Sequence, residues 1–131
     1  MKIQKILKRL LQLHPKSEPS TLDRIKRLLK DLKNPENKIN NLIQVVGTNS
    51  KHSLIVSLRE IFETAGYTCN VNISPSLRNF NERYYFSGKY ISDNRLYNLL
   101  IEVEEINRGK EITFHEFICA CFFLEASRTK K

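Results

Sequence analysis

Between Leu42 and Phe62 the sequence changes its period once, and that change restricts the fold more than any other feature. "LIQVV" (Leu42–Val46) is a short apolar run closed by Gly47. From Lys51 onward, Leu54, Ile55, Leu58, Ile61, Phe62 and Ala65 recur at helical spacing. The first pattern reads as a strand and the second as one face of a helix. Gly66 stands where a helix stop belongs. "YTCNVNIS" (Tyr67–Ser74), closed by Pro75, reads as a second strand. Strand, crossover helix and strand make a βαβ unit, expected to be right-handed and parallel. The predicted fold class is therefore α/β.

The flanks supply helices. Ile3, Ile6, Leu7, Leu10 and Leu11 form one apolar face, and "HPKSEPS" (His14–Ser20) breaks the pattern. A second helix carries Leu22, Ile25, Leu28, Leu29 and Leu32, with Ser20 and Asp23 spaced as a reciprocal cap. Pro35 ends it, because proline disfavours helix at Asn34. "RYYFSGKYI" (Arg83–Ile91) reads as a hairpin around Ser87 and Gly88. Two further helices, about 92–107 and 113–127, are separated by Arg108 and Gly109. The expected organisation is one domain over 1–131: a helical segment (1–36), strand-loop-helix-strand (42–74), a hairpin (83–91) and two helices (92–127). A parallel sheet needs several strands and helices on both faces. Two strands are too few, so the chain reads as the opening of a larger, three-layer domain.

The formal charge of +8 is unevenly spread. Residues 1–51 hold 12 Lys or Arg against 4 Asp or Glu, whereas the remaining 80 hold 10 of each. Such a basic half attracts RNA, anionic membrane or a polyanionic small molecule. The first aromatic residue is Phe62, so the basic region contains no base-stacking platform. No apolar run has the length of a membrane span. "MKIQKILKRLLQL" is amphipathic rather than a charged tip before an apolar block, and does not read as a secretion signal. It suits a packed helix, and also an organelle leader or a membrane-surface helix. Three cysteines (Cys69, Cys119, Cys121) are too few and too odd for a disulfide framework. Cys119 and Cys121, two apart on a helix, do not face each other.

The loop "GTNSKHS" (Gly47–Ser53) places Lys51 at a helix start, where backbone amides and the helix dipole favour anions. It does not fit G-x-x-x-x-G-K-[ST]. Taken alone it is either a phosphate loop or a surface turn with a solvated lysine. Thr113 and Glu116 have the spacing of a capping box, so capping and metal binding compete for that carboxylate. Ser74 before Pro75 suits a turn, Asn81 suits stabilising its own turn, and Arg83 suits pairing with Glu82 or another acid. His14, His52 and His115 share no spacing that suggests zinc.

Four blocks in order carry a resemblance. "GTNSKHS" resembles G-T-N-G-K-G-S of folylpolyglutamate synthase and dihydrofolate synthase, members of the Mur ligase superfamily. "LDRIKRLLKDLKNPENKINNLIQVV" resembles the family's leading helix and first strand. "ISPSLRNFNER" (Ile73–Arg83) resembles T-S-P-H-L followed by F-N-E-R, and "ITFHEFICACFF" (Ile112–Phe123) resembles L-T-F-F-E-F-x-T-A. The resemblance implies an incomplete three-layer, parallel-sheet, P-loop-like ATP-binding domain of the Mur ligase type. It implies ATP at Gly47, Thr48, Asn49, Ser50, Lys51, His52 and Ser53, with Asn81, Glu82 and Arg83 bordering the cleft. It implies Mg²⁺ at Ser74 and Glu116, folate and L-glutamate as substrates, and a cytoplasmic location. Nucleic acid is not among the implied partners. The family reaction phosphorylates a folate carboxylate with ATP, and the glutamate amine attacks the acyl phosphate.

The departures are Ser50 and His52 at glycine positions of the loop, Ser76 at the histidine of T-S-P-H, and Lys33 at a glycine ending the second helix. Ser50 is expected to strain the loop and His52 to crowd it. The glutamate-handling domain lies beyond Lys131 in the family pattern. The expectation is thus a truncated ligase or pseudogene product, with lost or impaired activity unless another chain supplies that domain. The alternative is a small basic protein binding RNA or an anionic surface through Lys2, Lys5, Lys8, Arg9, Arg24, Lys26, Arg27 and Lys30.

Overall fold

A computed structural model of the chain describes residues 2–13, 21–47, 49–74 and 78–129. The elements in order are α1 (Lys2–Leu13), α2 (Asp23–Asp31), α3 (Lys51–Thr64), β1 (Asn70–Asn72), β2 (Tyr84–Phe86), β3 (Lys89–Tyr90), α4 (Asp93–Asn107) and α5 (Phe114–Arg128). Short 3₁₀ turns occupy Pro35–Lys38 and Phe80–Arg83. The "HPKSEPS" break and Ser20, the expected cap, lie outside the described residues. Leu22 takes the N-cap position of α2 and makes no side-chain cap bond. The chain forms two compact units: Met1–Ile39 with Asp93–Ser127, and Asn40–Ser92 with Arg128–Lys131.

The first unit is helical. α1 and α2 both pack on α4. Leu96, Leu99, Leu100 and Val103 are fully buried, at the spacing of one helix face. Ile6, Leu10, Leu28 and Leu29 meet this core from the two preceding helices, and Phe117, Ile118 and Cys121 from α5. Asn107 continues the α4 stripe and is only 2% exposed. A buried amide must find partners, and this one does. Its Oδ1 accepts from Arg27 Nη2 at 2.7 Å, and its Nδ2 donates to the Lys110 carbonyl at 3.0 Å. The same guanidinium donates to Asp31 at 3.2 Å and to the Glu111 carbonyl at 3.3 Å. One cation thus ties α2 to the turn between α4 and α5.

The end of α2 explains Lys33. Lys33 N–H donates to the Lys30 carbonyl at 2.9 Å and Asn34 N–H to the Leu29 carbonyl at 2.7 Å. This pair of bonds is a Schellman motif, whose C′ residue is left-handed and usually glycine. Lys33 is at C′ with φ 68°. α3 ends with the same two bonds, Gly66 to Glu63 and Tyr67 to Phe62, with Gly66 at C′. The backbone demand is identical at both ends, but only α3 meets it with a glycine.

The second unit corrects the expected sheet. Residues 42–46 form no strand, and the described strands make one antiparallel sheet in the order β1-β2-β3. Val71 pairs with Tyr85, and Tyr85 with Tyr90. The two-residue link between β2 and β3 permits only an antiparallel return. Ser87 and Gly88 both have positive φ, at 46° and 93°, as the tight primed hairpin turns require. A parallel pairing for 42–46 needs a neighbour and covering helices, and Leu42, Ile43 and Val46 are instead exposed, Val46 to 82%. α3 spans the expected residues but buries none of them, and Ile61 is 64% exposed. Its link to the sheet is polar. Tyr85 Oη donates to Glu63 at 2.7 Å, and Arg59 stacks 4.5 Å over the Tyr85 ring. Burial, then the Glu63 carboxylate, push the Tyr85 hydroxyl up to about 12.

Replacing Asn107 by Ala is expected to cost roughly 2 kcal/mol, because it removes a buried amide and leaves a half-buried guanidinium donor without its acceptor. Lys33→Gly is expected to stabilise by about 1 kcal/mol, the strain a side chain adds in the left-handed region. Urea melts of both variants check the two signs; a neutral Asn107→Ala would remove that residue from the account of the core.

Candidate functional site

The loop before α3 is built around one unusual residue. Ser50 is left-handed, at φ 60° and ψ 13°, and stands at the N-cap of α3 without a side-chain cap bond. Its carbonyl accepts the first helical bond, from Leu54 N–H at 3.1 Å. The amides of Lys51, His52 and Ser53 belong to the first turn, whose N–H groups have no intrahelical acceptor. They sit where the helix dipole is positive, and Lys51 adds a full charge at the same end. The first turn contains no acidic residue. A Cβ built on Gly47 would lie 3.8 Å from Lys51 Cγ and 3.9 Å from the Asn49 carbonyl oxygen. The stem of Lys51 therefore stands beside the bare face of Gly47. Thr48 lies outside the described residues.

Ser50 and His52 differ in kind. Ser50 occupies a conformation that favours glycine. His52 is the second residue of α3, helical and exposed, so the backbone there demands no glycine. Any strain from these departures is concentrated at Ser50. Ser53 is also helical and exposed, and its carbonyl accepts a bond from Ser57 Oγ at 2.9 Å.

The stretch from Ser74 to Arg83 is held by short-range bonds. Asn79 and Glu82 form a reciprocal capping box over the 3₁₀ turn. The Glu82 carboxylate also accepts from Arg78 N–H at 3.2 Å. Asn81 Nδ2 donates to the Ile91 carbonyl at 2.8 Å, tying the turn to the end of the hairpin. Arg83 Nη1 donates to Ser74 Oγ at 3.2 Å, and its guanidinium stacks 5.2 Å from the Phe80 ring. Pro75, Ser76 and Leu77 lie outside the described residues.

Glu116 belongs to the helical unit, whereas the loop, Ser74 and Asn81–Arg83 belong to the other. Its Oε1 accepts from Thr113 N–H at 3.0 Å, and Thr113 Oγ1 accepts from Glu116 N–H at 3.2 Å. Arg24 Nε donates to the same Oε1 at 3.0 Å. Burial alone would raise this carboxyl, but the Thr113 hydrogen bonds and Arg24 outweigh it and hold the group below the usual carboxylate range. The cap was legible in the sequence. Arg24, 92 positions away, was not, because no local spacing announces it.

No family model matches the chain. Over 110 residues it is 34% identical to the dihydrofolate synthase/folylpolyglutamate synthase of Bacillus subtilis, covering 79% of this chain and 25% of that protein. It is 27% identical over 96 residues to dihydrofolate synthetase of Saccharomyces cerevisiae, covering 73% of this chain and 22% of the relative. Among solved structures, folylpolyglutamate synthetase from Lactobacillus casei matches at a TM-score of 0.80 and 26% identity, over 98% of this chain and 34% of that one. Folylpolyglutamate synthase from Thermotoga maritima matches at 0.82 and 28%, over 98% and 31%.

Fold and sequence together define the class as the folate ligases. Within that class, the chain belongs to the dihydrofolate synthase/folylpolyglutamate synthase family. It spans about a quarter of the length of the curated relatives and about a third of the solved structures it matches.

Two outcomes are expected here. Ser50→Gly should stabilise the chain by about 1 kcal/mol, while His52→Gly should cost up to about 1 kcal/mol as a glycine within a helix. Thermal melts that show equal effects would contradict this division. Glu116 has a folded value below its unfolded one, so its contribution is present above the unfolded carboxylate range, about pH 4.3. It is lost as pH falls through the folded value. Glu116→Gln should therefore be less stable than the parent at pH 7, and the gap should close on acidification below about pH 4. Urea melts at both pH values measure that gap; a constant gap would mean that Glu116 does not titrate with folding.

Proposed function

We propose that residues 47–53 form a phosphate-binding loop for ATP, and that the chain retains this part of a folate ligase with impaired activity. The observation that carries the reading is the start of α3: no side-chain cap, no acid in the first turn, and Lys51 beside Gly47. Free amides and a cation at one helix end suit a polyphosphate. In the family reaction, ATP and Mg²⁺ activate a folate carboxylate as an acyl phosphate that L-glutamate then captures. In this chain, Lys51 would offset phosphate charge while the amides of Lys51, His52 and Ser53 orient it. Asn81, Glu82 and Arg83 hold the 3₁₀ turn through bonds to the Ile91 carbonyl, Asn79 N–H and Ser74 Oγ.

The proposed Mg²⁺ donors, Ser74 and Glu116, are hard oxygens of the right type for that ion. Both accept a bond from a guanidinium, Arg83 and Arg24 respectively. As arranged, a guanidinium takes up one acceptor position on Ser74 Oγ and one on Glu116 Oε1. This engagement supports impaired turnover, as do Ser50 and His52 in place of the family glycines. Folate, L-glutamate and a cytoplasmic setting enter the proposal through the family relationship alone. No helix among the described residues is long and apolar enough to cross a membrane.

The RNA or anionic-surface reading receives no comparable support. Arg9, Arg24 and Arg27 are spent on Glu104, Glu116 and Asp31, and no matched protein is a nucleic-acid binder by name.

Calorimetric titration with Mg-ATP tests the loop. Lys51→Ala should weaken binding on the order of tenfold, the scale of one charge-assisted phosphate contact. Ser50→Gly should preserve or tighten binding. Affinity indifferent to Lys51→Ala would overturn the proposal. Glutamate-dependent ATP turnover with a folate at ordinary enzyme rates would overturn the impairment while leaving the loop assignment intact.

A further inference from the structure

α5 presents His115 and Cys119 four residues apart, hence one turn apart on a shared face. His115 Nε2 and Cys119 Sγ lie 3.8 Å from each other. His115 is exposed and Cys119 half-buried, so solvent ions reach the pair. Cys121 is fully buried and Cys69 belongs to the other unit. Glu116 is the next residue after His115, but successive helix positions turn by about 100°, and its Oε1 is held by Thr113 and Arg24.

We propose that His115 and Cys119 form a two-ligand site for a thiophilic divalent metal ion, with zinc as the fitting biological example. The geometry suits it. Bonds of about 2.3 Å to sulfur and 2.0–2.1 Å to nitrogen, opened to a tetrahedral angle, place the two donors about 3.6 Å apart. A small side-chain rotation closes the observed 3.8 Å to that bite. A thiolate with an imidazole selects zinc-like ions over magnesium, which demands oxygen ligands. On binding, metal–sulfur and metal–nitrogen bonds form, two bound waters leave the ion, and the thiol proton passes to solvent. Among the described residues, no group of three or more His, Cys, Asp or Glu is placed to hold a metal ion, so the pair stands without a third protein ligand. Two protein ligands leave the remaining positions to water, so the site is open and exchangeable rather than a folding nucleus.

The pair is separate from the nucleotide reading. In the family motif L-T-F-F-E-F-x-T-A, His115 stands at a phenylalanine and Cys119 at a threonine, so neither is inherited from that pattern. The site therefore stands or falls independently of ATP binding at 47–53.

Cobalt(II) titration of the reduced full chain, followed by absorption, tests it. A near-ultraviolet thiolate-to-cobalt band should grow to one equivalent, bleach on adding zinc, and survive a large excess of magnesium. Cys119→Ser should abolish the band, His115→Ala should weaken binding at least tenfold, and Cys69→Ser should leave it unchanged. Zinc should raise the melting temperature of the parent but not of His115→Ala, a readout that also shows whether the variant is folded. Absence of the band, a band indifferent to His115→Ala, or one removed by Cys69→Ser would overturn the proposal.

Discussion

Arg27 reaching Asn107 is the contact on which the helical unit depends. An apolar stripe on α4 specifies that the helix is buried, but not which neighbour covers which turn. Asn107, at the end of that stripe, makes the choice specific, because a buried amide is costly unless a particular partner arrives. Arg27 arrives from a helix 80 positions earlier and satisfies it while also reaching Asp31 and the Glu111 carbonyl. Three interhelical ion pairs, Arg9 with Glu104, Arg24 with Glu116 and Arg95 with Glu125, follow the same plan. Arg9 is largely exposed, so its pair adds little energy and chiefly fixes register. The excess of positive charge in residues 1–51 is thereby partly consumed inside the unit. Three of the twelve basic residues in that half, Arg9, Arg24 and Arg27, thus serve helix packing in three dimensions.

The two glycine replacements carried by the backbone, Lys33 and Ser50, show how a fold outlasts its preferred residues. Both keep positive φ at a helix end, Lys33 as the C′ residue of a Schellman motif and Ser50 as the N-cap of α3. A left-handed non-glycine residue costs on the order of 1–3 kcal/mol, and it persists only when the surrounding structure over-determines it. At Lys33 two Schellman bonds supply that constraint. At Ser50 no helix-end bond supplies it, because an N-cap is ordinarily extended; the left-handed turn belongs to the loop itself. His52 is different. It departs from the family pattern in composition, but the helix accommodates it without a backbone demand. A difference from a motif is therefore not by itself a structural defect; the local φ decides.

The candidate site divides in the same way. The proposed phosphate loop rests on Gly47 and Lys51, because a loop before a helix needs only local chemistry to suggest anion binding. The Thr113–Glu116 cap was also legible, since its partners are three residues apart. What remained open was the competition for Glu116 and Ser74. Both oxygens receive guanidinium groups, Arg24 from far along the chain and Arg83 from across a turn. Spacing carries no information about the former. His115 and Cys119 also carry a local signal, the i, i+4 step within α5 that sets them on one face.

By itself the sequence determined the positions of α1 to α5, the stop at Gly66 and the hairpin turn at Ser87 and Gly88. Periodicity, helix termination and tight turns are set by interactions within a few residues, so they can be read locally. It did not determine the sheet. "LIQVV" has the composition of a buried parallel strand, yet 42–46 form no strand, and β1 pairs with β2 in antiparallel sense. Strand pairing requires a partner across space, and a run of apolar residues does not name that partner or its direction. For the same reason the helical spacing of α3 predicted a buried face that the structure leaves half-exposed. Tertiary structure alone decided these points, along with the arrival of Arg27 at Asn107 and Arg24 at Glu116, because each depends on contacts between segments that local sequence cannot bring together.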